Sequence, residues 1–344
     1  MELLSKDLGG EFRLKEDADG RLGARHGARV KQSMPPKPEI FEVPVRGGPM
    51  TVGRWGSAGP VIVASHGITG SLMLWTALVE ELGPGFLVIA PDHRGRGGSA
   101  SLPPPFGIRA HAADLIAVMD ELSLDNAIFV GNSMGAAVVA QAAADHPNRA
   151  RAVILVDGGV PVPEAGDAVG LEDSQVRADL VKRLGPSIDR LGMAFESANA
   201  YRTHWQAHPA FRAEGEWSPY LDAYIEYDLT GQPPAMRSRV QAEAVLEDAV
   251  DLRNNDAMSK ALSRIKCEVV LIRAPFGALG GNEPNIPLSA LDGARAIQPK
   301  LAAESIEGTN HLTITIGHRG ASAIARWIKE LASEASDALP GGSA

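Results

Sequence analysis

Five short apolar runs, separated by stretches with helical periodicity, constrain the fold of this chain more than any other feature. Short runs that are rich in Val and Ile and lack alternation are typical of strands buried on both faces of a parallel sheet. Between them, apolar residues such as Leu115, Met119 and Leu122 recur at helical spacing. Alternating strands and helices predict an α/β fold with right-handed crossovers. The five runs are 61–64, 86–90, 127–130, 152–156 and 269–272.

The composition is that of a folded globular protein and argues against several other classes. Of the 344 residues, 44% are apolar and 22% charged, which excludes wholesale disorder. A net charge of −9 without a basic cluster argues against a nucleic-acid partner. The single cysteine, Cys267, permits no internal disulfide. No apolar stretch approaches the roughly 20 residues of a membrane span, and residues 1–20 lack the apolar block of a signal peptide. We therefore expect a cytoplasmic protein without membrane contact.

The alternation stops between Asp157 and about Ser263, where helix signals dominate and no strand is evident. A helical insertion after a sheet strand is most simply a cap over the carboxyl edge of the sheet, where open α/β sheets bind ligands. The polar N-terminal residues are interpreted as an extension, which could instead pack across a partner subunit in a homodimer. The predicted segments are an N-terminal extension (1–38), a core in two parts (39–160 and 263–335), a helical cap (161–262) and a C-terminal tail (336–344).

A G-x-S-x-G motif stands between the apolar run 127–130 and a helix predicted for 136–144. A sharp strand-to-helix turn needs small residues two positions before and after the serine, here Gly131 and Gly135, because side chains there would clash with backbone. The turn lifts the hydroxyl of Ser133 to the edge of the sheet, at a helix N-terminus that favours negative charge. Ser133 is therefore a candidate nucleophile, and the alternative is a plain glycine-rich turn.

The loop 66–70, with the sequence His-Gly-Ile-Thr-Gly, follows the apolar run 61–64. Such a loop can aim the backbone N–H of Ile68 at the space above the serine. Together with the N–H of Met134, this donor would form an oxyanion hole for a tetrahedral intermediate. His66 itself, at the end of a strand, suits a hydrogen-bonded structural role better than a catalytic one.

Four segments occur in an order and spacing that point to a known family, namely 66–67, 91–99, 131–135 and 310–311. With them the chain resembles the α/β-hydrolase superfamily over nearly all of residues 40–335. The resemblance implies an eight-stranded, mostly parallel sheet with helices on both faces. It also implies a Ser–acid–His triad, a helical cap inserted after the sixth strand, and structural roles for Asp92 and Arg94.

In this family the base follows the last strand in chain order. His311 follows a weak strand near 302–306 and is the predicted general base, the alternative being a polar loop histidine. The acid usually follows the seventh strand, where the loop 273–283 offers only Glu283, at a late position. The sixth strand instead ends in Asp157, 24 residues past the serine, a spacing similar to that of the zearalenone lactonases. Asp157 is the predicted acid and Glu283 the alternative.

These residues lead to the hypothesis of a serine hydrolase that cleaves a carboxylic ester or lactone through an acyl-enzyme. An aromatic-bearing cap indicates a bulky, apolar small-molecule substrate. The resemblance favours a macrolactone, with zearalenone as the specific expectation. Four aromatic residues of the predicted cap are expected to contact the substrate, namely Tyr201, Trp205, Trp217 and Tyr220. The alternative is that these side chains form the core of the cap itself.

Three other functions stay open. An amidase or aminopeptidase would hold an amine through cap carboxylates, for which Glu214, Glu216 and Glu226 are available. A carbon–carbon bond hydrolase would use the same triad on diketones, and a non-enzymatic receptor would bind a small ligand without turnover. Scattered histidines indicate no metal site, and no phosphate loop or dinucleotide motif indicates a cofactor. Asp114, on a helix with an apolar opposite face, is expected at the solvated surface.

Overall fold

A computed structural model describes residues 34–163, 171–212 and 217–337 of the chain. The described residues from Pro35 onward belong to one compact unit. The predicted N-terminal extension (1–38) and C-terminal tail (336–344) fall almost wholly outside the described residues and stay predictions. Within the described ranges, no helix is both long enough and apolar enough to cross a membrane.

Eight strands form one mixed sheet. They are β1 (Glu39–Val45), β2 (Gly48–Trp55), β3 (Val61–Ser65), β4 (Leu87–Pro91), β5 (Ala127–Asn132), β6 (Ala150–Val156), β7 (Glu268–Arg273) and β8 (Ala302–Ser305). Their spatial order is β1-β2-β4-β3-β5-β6-β7-β8. β2 is antiparallel to both of its neighbours, and every later pair is parallel. The predicted eight-stranded, mostly parallel α/β-hydrolase sheet is confirmed.

Twelve α-helices are found in the described part of the chain. They are α1 (Thr76–Leu82), α2 (Ile108–Glu121), α3 (Met134–Asp145), α4 (Asp173–Leu184), α5 (Pro186–Asp189), α6 (Ala198–Gln206), α7 (Pro219–Asp228), α8 (Ala242–Leu252), α9 (Asn255–Arg264), α10 (Leu288–Ile297), α11 (Thr313–Ile316) and α12 (His318–Asp337). The helices α1, α2 and α3 connect β3, β4, β5 and β6 in turn, which is the predicted alternation.

The apolar runs are buried on both faces of the sheet, because successive side chains of a strand point to opposite sides. In β5, Ile128 and Val130 join the core on one face, whereas Phe129 joins the core on the other. Residues of α1, α11 and α12 cover the first face, and residues of α2, α3, α9 and α10 cover the second. A strand in this position needs apolar residues at every place, which explains runs without alternation.

The segment between β6 and β7, for which a cap is predicted, contains one feature that the sequence analysis missed. Leu229–Thr230 and Arg237–Ser238 pair as two short antiparallel strands. The expectation that this segment contains no strand is therefore wrong. Two residues are too few to show alternation, and the chain reverses through Gly231, whose φ of 89° is readily adopted only by glycine.

The end of the cap also differs from the predicted residue 262. Helix α9 packs against α3, and its Leu262 belongs to the core beneath the sheet. We therefore place the end of the cap before Asn255. Helical periodicity alone cannot distinguish a helix of the cap from a helix that covers the sheet.

Asp114 is buried rather than solvated, with only 4% of its surface exposed. Both of its carboxylate oxygens accept hydrogen bonds of 2.7 Å from the Arg94 guanidinium. Arg94 also donates to the carbonyl oxygens of Pro103 and Arg46. The expectation of a surface position for Asp114 is wrong, because its partner Arg94 lies in the loop after β4 and not on the same helix. Arg94 thus has the structural role that the resemblance implied.

Replacing Asp114 by Ala should lower the free energy of unfolding by about 3–5 kcal/mol, because a buried guanidinium loses its counter-ion. Urea denaturation measures the change. Glu39→Ala is the control, because it breaks an exposed ion pair between Glu39 and Arg54. The side chain of Glu39 is 60% exposed and that of Arg54 is 41% exposed. That variant should lose at most about 1 kcal/mol. Equal losses in the two variants would contradict the structural role of the buried pair.

Candidate active site

Ser133 occupies a turn between β5 and α3 that only small neighbours permit. Its φ and ψ are 55° and −115°, a conformation that side-chain-bearing residues seldom adopt and that is common at functional sites. A Cβ on Gly131 or Gly135 would clash with carbonyl oxygens of the backbone. The N–H of Ser133 donates to the carbonyl of Val156 over 2.8 Å. The two glycines of the motif are thus required by close backbone approach, and the serine stands at the carboxyl edge of the sheet.

His311 lies in the loop between β8 and α11, and its backbone N–H donates to the carbonyl of Phe276 over 3.1 Å. The loop is further held by Asn310, whose side chain accepts from two following N–H groups and donates to the carbonyl of Ala210 in the cap. The imidazole is 5% exposed. Its Nε2 lies 3.0 Å from Oγ of Ser133. The structure therefore brings together the predicted nucleophile and base, which are 178 residues apart in sequence.

Asp157 directly follows β6 and is completely buried. One carboxylate oxygen lies 2.6 Å from Nδ1 of His311, and the other accepts the N–H of Ala274 over 3.0 Å. Its own N–H donates to the carbonyl of Ile272 over 2.7 Å. The alternative acid, Glu283, is exposed at the edge of the larger cavity described below. Asp157, not Glu283, occupies the place beside the imidazole.

The backbone donors predicted for an oxyanion hole border the same space. Met134 is the first residue of α3, so its N–H has no acceptor within the helix. Ile68 and Met134 line one cavity together with Ser133 and His311. The arrangement can direct two N–H groups at an oxygen that develops negative charge on an acyl group bound to the serine.

Two buried arginines hold the loop that carries Ile68. The Nε of Arg96 donates to the carbonyl of Ile68 over 2.9 Å, and Arg190 donates to that of Thr69 over 2.9 Å. Arg96 is paired with Asp248 of α8 at 2.5 Å. Burial by itself would raise the pKa of Asp248, but the Arg96 charge, His111 and a hydrogen bond from the N–H of Gly107 together lower it to about 2. The carboxylate is therefore ionised, and it ties the Ile68 loop to the cap.

His66 uses both ring nitrogens in the core. Its Nδ1 lies 2.8 Å from the carbonyl of Gly67, and its Nε2 accepts the N–H of His93 over 3.0 Å. Burial lowers the pKa of His66 to about 3, so the ring is neutral at neutral pH. These contacts agree with the structural role expected for this residue.

Two cavities meet at Ser133 and His311. The larger has a volume of about 870 Å³ and is bordered by α4, α8 and the loop after β7. Ligand sites commonly occupy about 300–1,000 Å³. The smaller, of about 50 Å³, lies under the cap and is lined mainly by apolar side chains. They include Leu74, Leu184, Trp205, Phe211 and Tyr224.

Of the four aromatic residues predicted to contact substrate, Trp205 lines the smaller cavity with Ser133. Tyr201 does not border either cavity. It is 1% exposed, its hydroxyl donates to Asp228, and the same oxygen accepts from Arg190 over 3.0 Å. The assignment of Tyr201 to substrate binding is therefore corrected: the residue belongs to the polar interior of the cap.

Trp217 and Tyr220 are likewise engaged within the protein and do not line either cavity. The indole N–H of Trp217 donates to Asp222 over 3.0 Å, and the hydroxyl of Tyr220 bonds to Glu80. Burial and this carboxylate raise the pKa of Tyr220. Residues that the sequence analysis did not select, such as Phe211, border the smaller cavity instead. No sequence signal distinguishes them, because the packing of the cap decides which helical faces turn towards the serine.

Of the carboxylates considered for holding an amine, the one that the structure describes lines neither cavity. Glu226 is exposed, whereas Glu214 and Glu216 lie outside the described residues. Among the residues that the structure describes, no group of three or more His, Cys, Asp or Glu side chains could hold a metal ion.

Known proteins match this chain over most of its length. Residues 60–191 match the family model of the alpha/beta hydrolase fold. A Caulobacter vibrioides protein described as a carbamate hydrolase, RutD, is 36% identical over 248 residues, which cover 70% of this chain and 82% of that protein. An N-formylmaleamate deformylase from Pseudomonas putida is 30% identical over 193 residues, which cover 54% of this chain and 69% of the deformylase.

The crystal structure of E-2-(acetamidomethylene)succinate hydrolase shares the fold. It matches with a TM-score of 0.69 at 21% identity and covers 85% of this chain and 99% of its own. Together with the sequence relatives, this similarity establishes the family. The chain belongs to the α/β-hydrolase superfamily and is a hydrolase.

Proposed function

We propose that this protein cleaves a carboxylic ester or lactone through an acyl-enzyme intermediate. The observation that carries the proposal is the continuous hydrogen-bonded series of hydroxyl, imidazole and carboxylate formed by Ser133, His311 and Asp157, with contacts of 3.0 and 2.6 Å. A serine hydroxyl is a weak nucleophile unless a base within hydrogen-bonding distance removes its proton. The geometry meets that requirement, and the buried carboxylate orients the base.

In the proposed mechanism, Oγ of Ser133 attacks the carbonyl carbon while Nε2 of His311 takes the hydroxyl proton. Asp157 accepts the Nδ1–H of the imidazole and stabilises its cationic form. The N–H groups of Ile68 and Met134 hold the oxyanion of the tetrahedral intermediate. His311 then protonates the leaving alcohol, and a water molecule activated by the same imidazole releases the acid.

The size of the site supports a bulky substrate. The cavity of about 870 Å³ beside Ser133 is large enough for a ligand of drug size. The macrolactone zearalenone is the most specific form of the proposal. Its support is the position of Asp157 after β6, in addition to the volume of this cavity. The serine nucleophile argues against haloalkane and epoxide substrates, because their cleavage requires a carboxylate nucleophile at that position in this fold.

Cleavage of an amide is the second candidate, and the relatives are the observation that favours it. The names carbamate hydrolase, N-formylmaleamate deformylase and 2-(acetamidomethylene)succinate hydrolase describe substrates that contain a carbonyl carbon bonded to nitrogen. The same triad serves amides if His311 protonates the leaving nitrogen. A lipase from Mycobacterium tuberculosis, 30% identical over 187 residues, is a relative whose name indicates an ester substrate.

Ser133→Ala should lower kcat/KM for simple aryl esters at least about a thousandfold, because the covalent step is lost. Circular dichroism and thermal unfolding establish that the variant is folded. Ser263→Ala, on the exposed surface of α9, is the matched control and should leave kcat/KM unchanged. Turnover that survives Ser133→Ala would contradict the assignment. A wild-type protein that binds esters without turnover would instead favour the receptor hypothesis.

Asp157→Asn should lower kcat about 10⁴-fold, because the amide favours the wrong imidazole tautomer and cannot stabilise the cation. Glu283→Gln, the matched change at the alternative acid, should leave kcat within about twofold, since its side chain is exposed. Steady-state kinetics on one aryl ester decides between them. The opposite order of effects would transfer the role of acid to Glu283.

A panel of aryl esters, lactones of increasing ring size and aryl amides should separate the two candidate functions. We expect the highest kcat/KM for esters and large-ring lactones, since the volume of the larger cavity accommodates bulky groups. Amides should be cleaved more slowly. Ser133→Ala serves as the control for each compound class. Faster cleavage of the amides would favour the second candidate.

A further inference from the structure

Ser187 is a polar residue in a cavity that is otherwise mostly apolar. It lies on α5 in the cap, is 2% exposed, and lines the smaller cavity together with Ser133. Its Oγ lies 3.2 Å from Nε2 of His208, which is completely buried. The proposed mechanism does not use either residue.

The protonation of His208 follows from its other contacts. Its Nδ1 accepts the backbone N–H of Ala210 over 3.2 Å, so the proton of the neutral ring is on Nε2. Burial lowers the pKa of His208 to about 4, despite an opposing hydrogen bond to the backbone of Leu184. The ring is therefore neutral at neutral pH and donates through Nε2. Ser187 Oγ can only accept from that nitrogen, which leaves the hydroxyl hydrogen for another acceptor.

Within the described residues, His208 is the one hydrogen-bond partner found for Ser187 Oγ. The nearby guanidinium of Arg190 is fully engaged: it donates to the carbonyls of Ser187 and Thr69 and pairs with Asp228. A carboxylate that entered this cavity would lose its hydration and gain little compensation from a neutral hydroxyl. The arrangement therefore favours an uncharged oxygen acceptor.

We propose that the smaller cavity is the acyl subsite, and that Ser187 donates to an uncharged oxygen on a short acyl chain. This inference rests on the proposed function and concerns open-chain esters. A volume of about 50 Å³ corresponds to roughly four water-sized spheres, enough for a chain of a few atoms and too small for a ring. The alcohol portion then occupies the larger cavity. Among open-chain esters, the expected substrate class is an ester of a short alkoxy- or oxo-acid with a bulky alcohol.

The test compares 4-nitrophenyl methoxyacetate with 4-nitrophenyl butanoate, whose acyl chains are the same length and differ by an ether oxygen in place of a methylene. The ratio of their kcat/KM values should fall about three- to tenfold from wild type to Ser187→Ala, the value of one neutral hydrogen bond. Intrinsic reactivity cancels, because the same two esters are compared in both proteins.

Ser197→Ala is the matched control, because Ser197 caps α6, the helix that carries Trp205, and does not line the cavity. It should leave the ratio unchanged. If Ser187→Ala does not fold, Ser187→Cys, which keeps the shape with a much weaker donor, should show the same fall.

The outcomes separate this inference from the proposed function. Butanoate cleavage that requires Ser133, with the same ratio in wild type and Ser187→Ala, overturns the acyl subsite alone. Absence of Ser133-dependent cleavage of any ester overturns the proposed function and the subsite with it.

Discussion

The arrangement of the site depends on the hydrogen bond between Asp157 and His311, two residues 154 positions apart in sequence. Asp157 directly follows β6, and His311 lies in the loop after β8. The carboxylate is completely buried and also accepts the N–H of Ala274. Because both oxygens are engaged, the carboxylate has one orientation, and the imidazole takes its orientation from it. The 3.0 Å contact between His311 and Ser133 is a consequence of this constraint.

The cap takes part in the site by holding its loops as well as by covering it. The carbonyl of Ile68 is held by Arg96, which pairs with Asp248 of α8, and the carbonyl of Thr69 is held by Arg190. Buried ion pairs contribute little net stability but fix geometry, because removing one partner leaves an uncompensated charge. The loop with the candidate oxyanion donor is therefore held in part by residues between β6 and β7.

Residues named by a motif or by their place after a strand were brought together by the structure, whereas of the four residues named by composition only Trp205 lines a cavity with Ser133. Ser133 lies in a motif whose glycines are required by backbone contacts, and His311 and Asp157 follow strands whose order the fold dictates. Tyr201 was selected because the cap is rich in aromatic residues, but its hydroxyl bonds to buried charged groups. Ser187 resembles any other serine in the sequence. Its proposed role depends on the proton on Nε2 of His208 and on its position in the smaller cavity, neither of which the sequence shows.

Local periodicity in the sequence predicted the alternation of strands and helices, and the steric limits of the G-x-S-x-G turn indicated Ser133, because both are local properties; the eight-stranded sheet and His311 as base followed from the resemblance to the family. The tertiary structure alone decided which charges are buried and which side chains border the cavities. Asp114 is an example: its partner Arg94 comes from a separate loop. The physical reason is that burial and pairing depend on which surfaces meet, and helical spacing shows only that a helix has two faces.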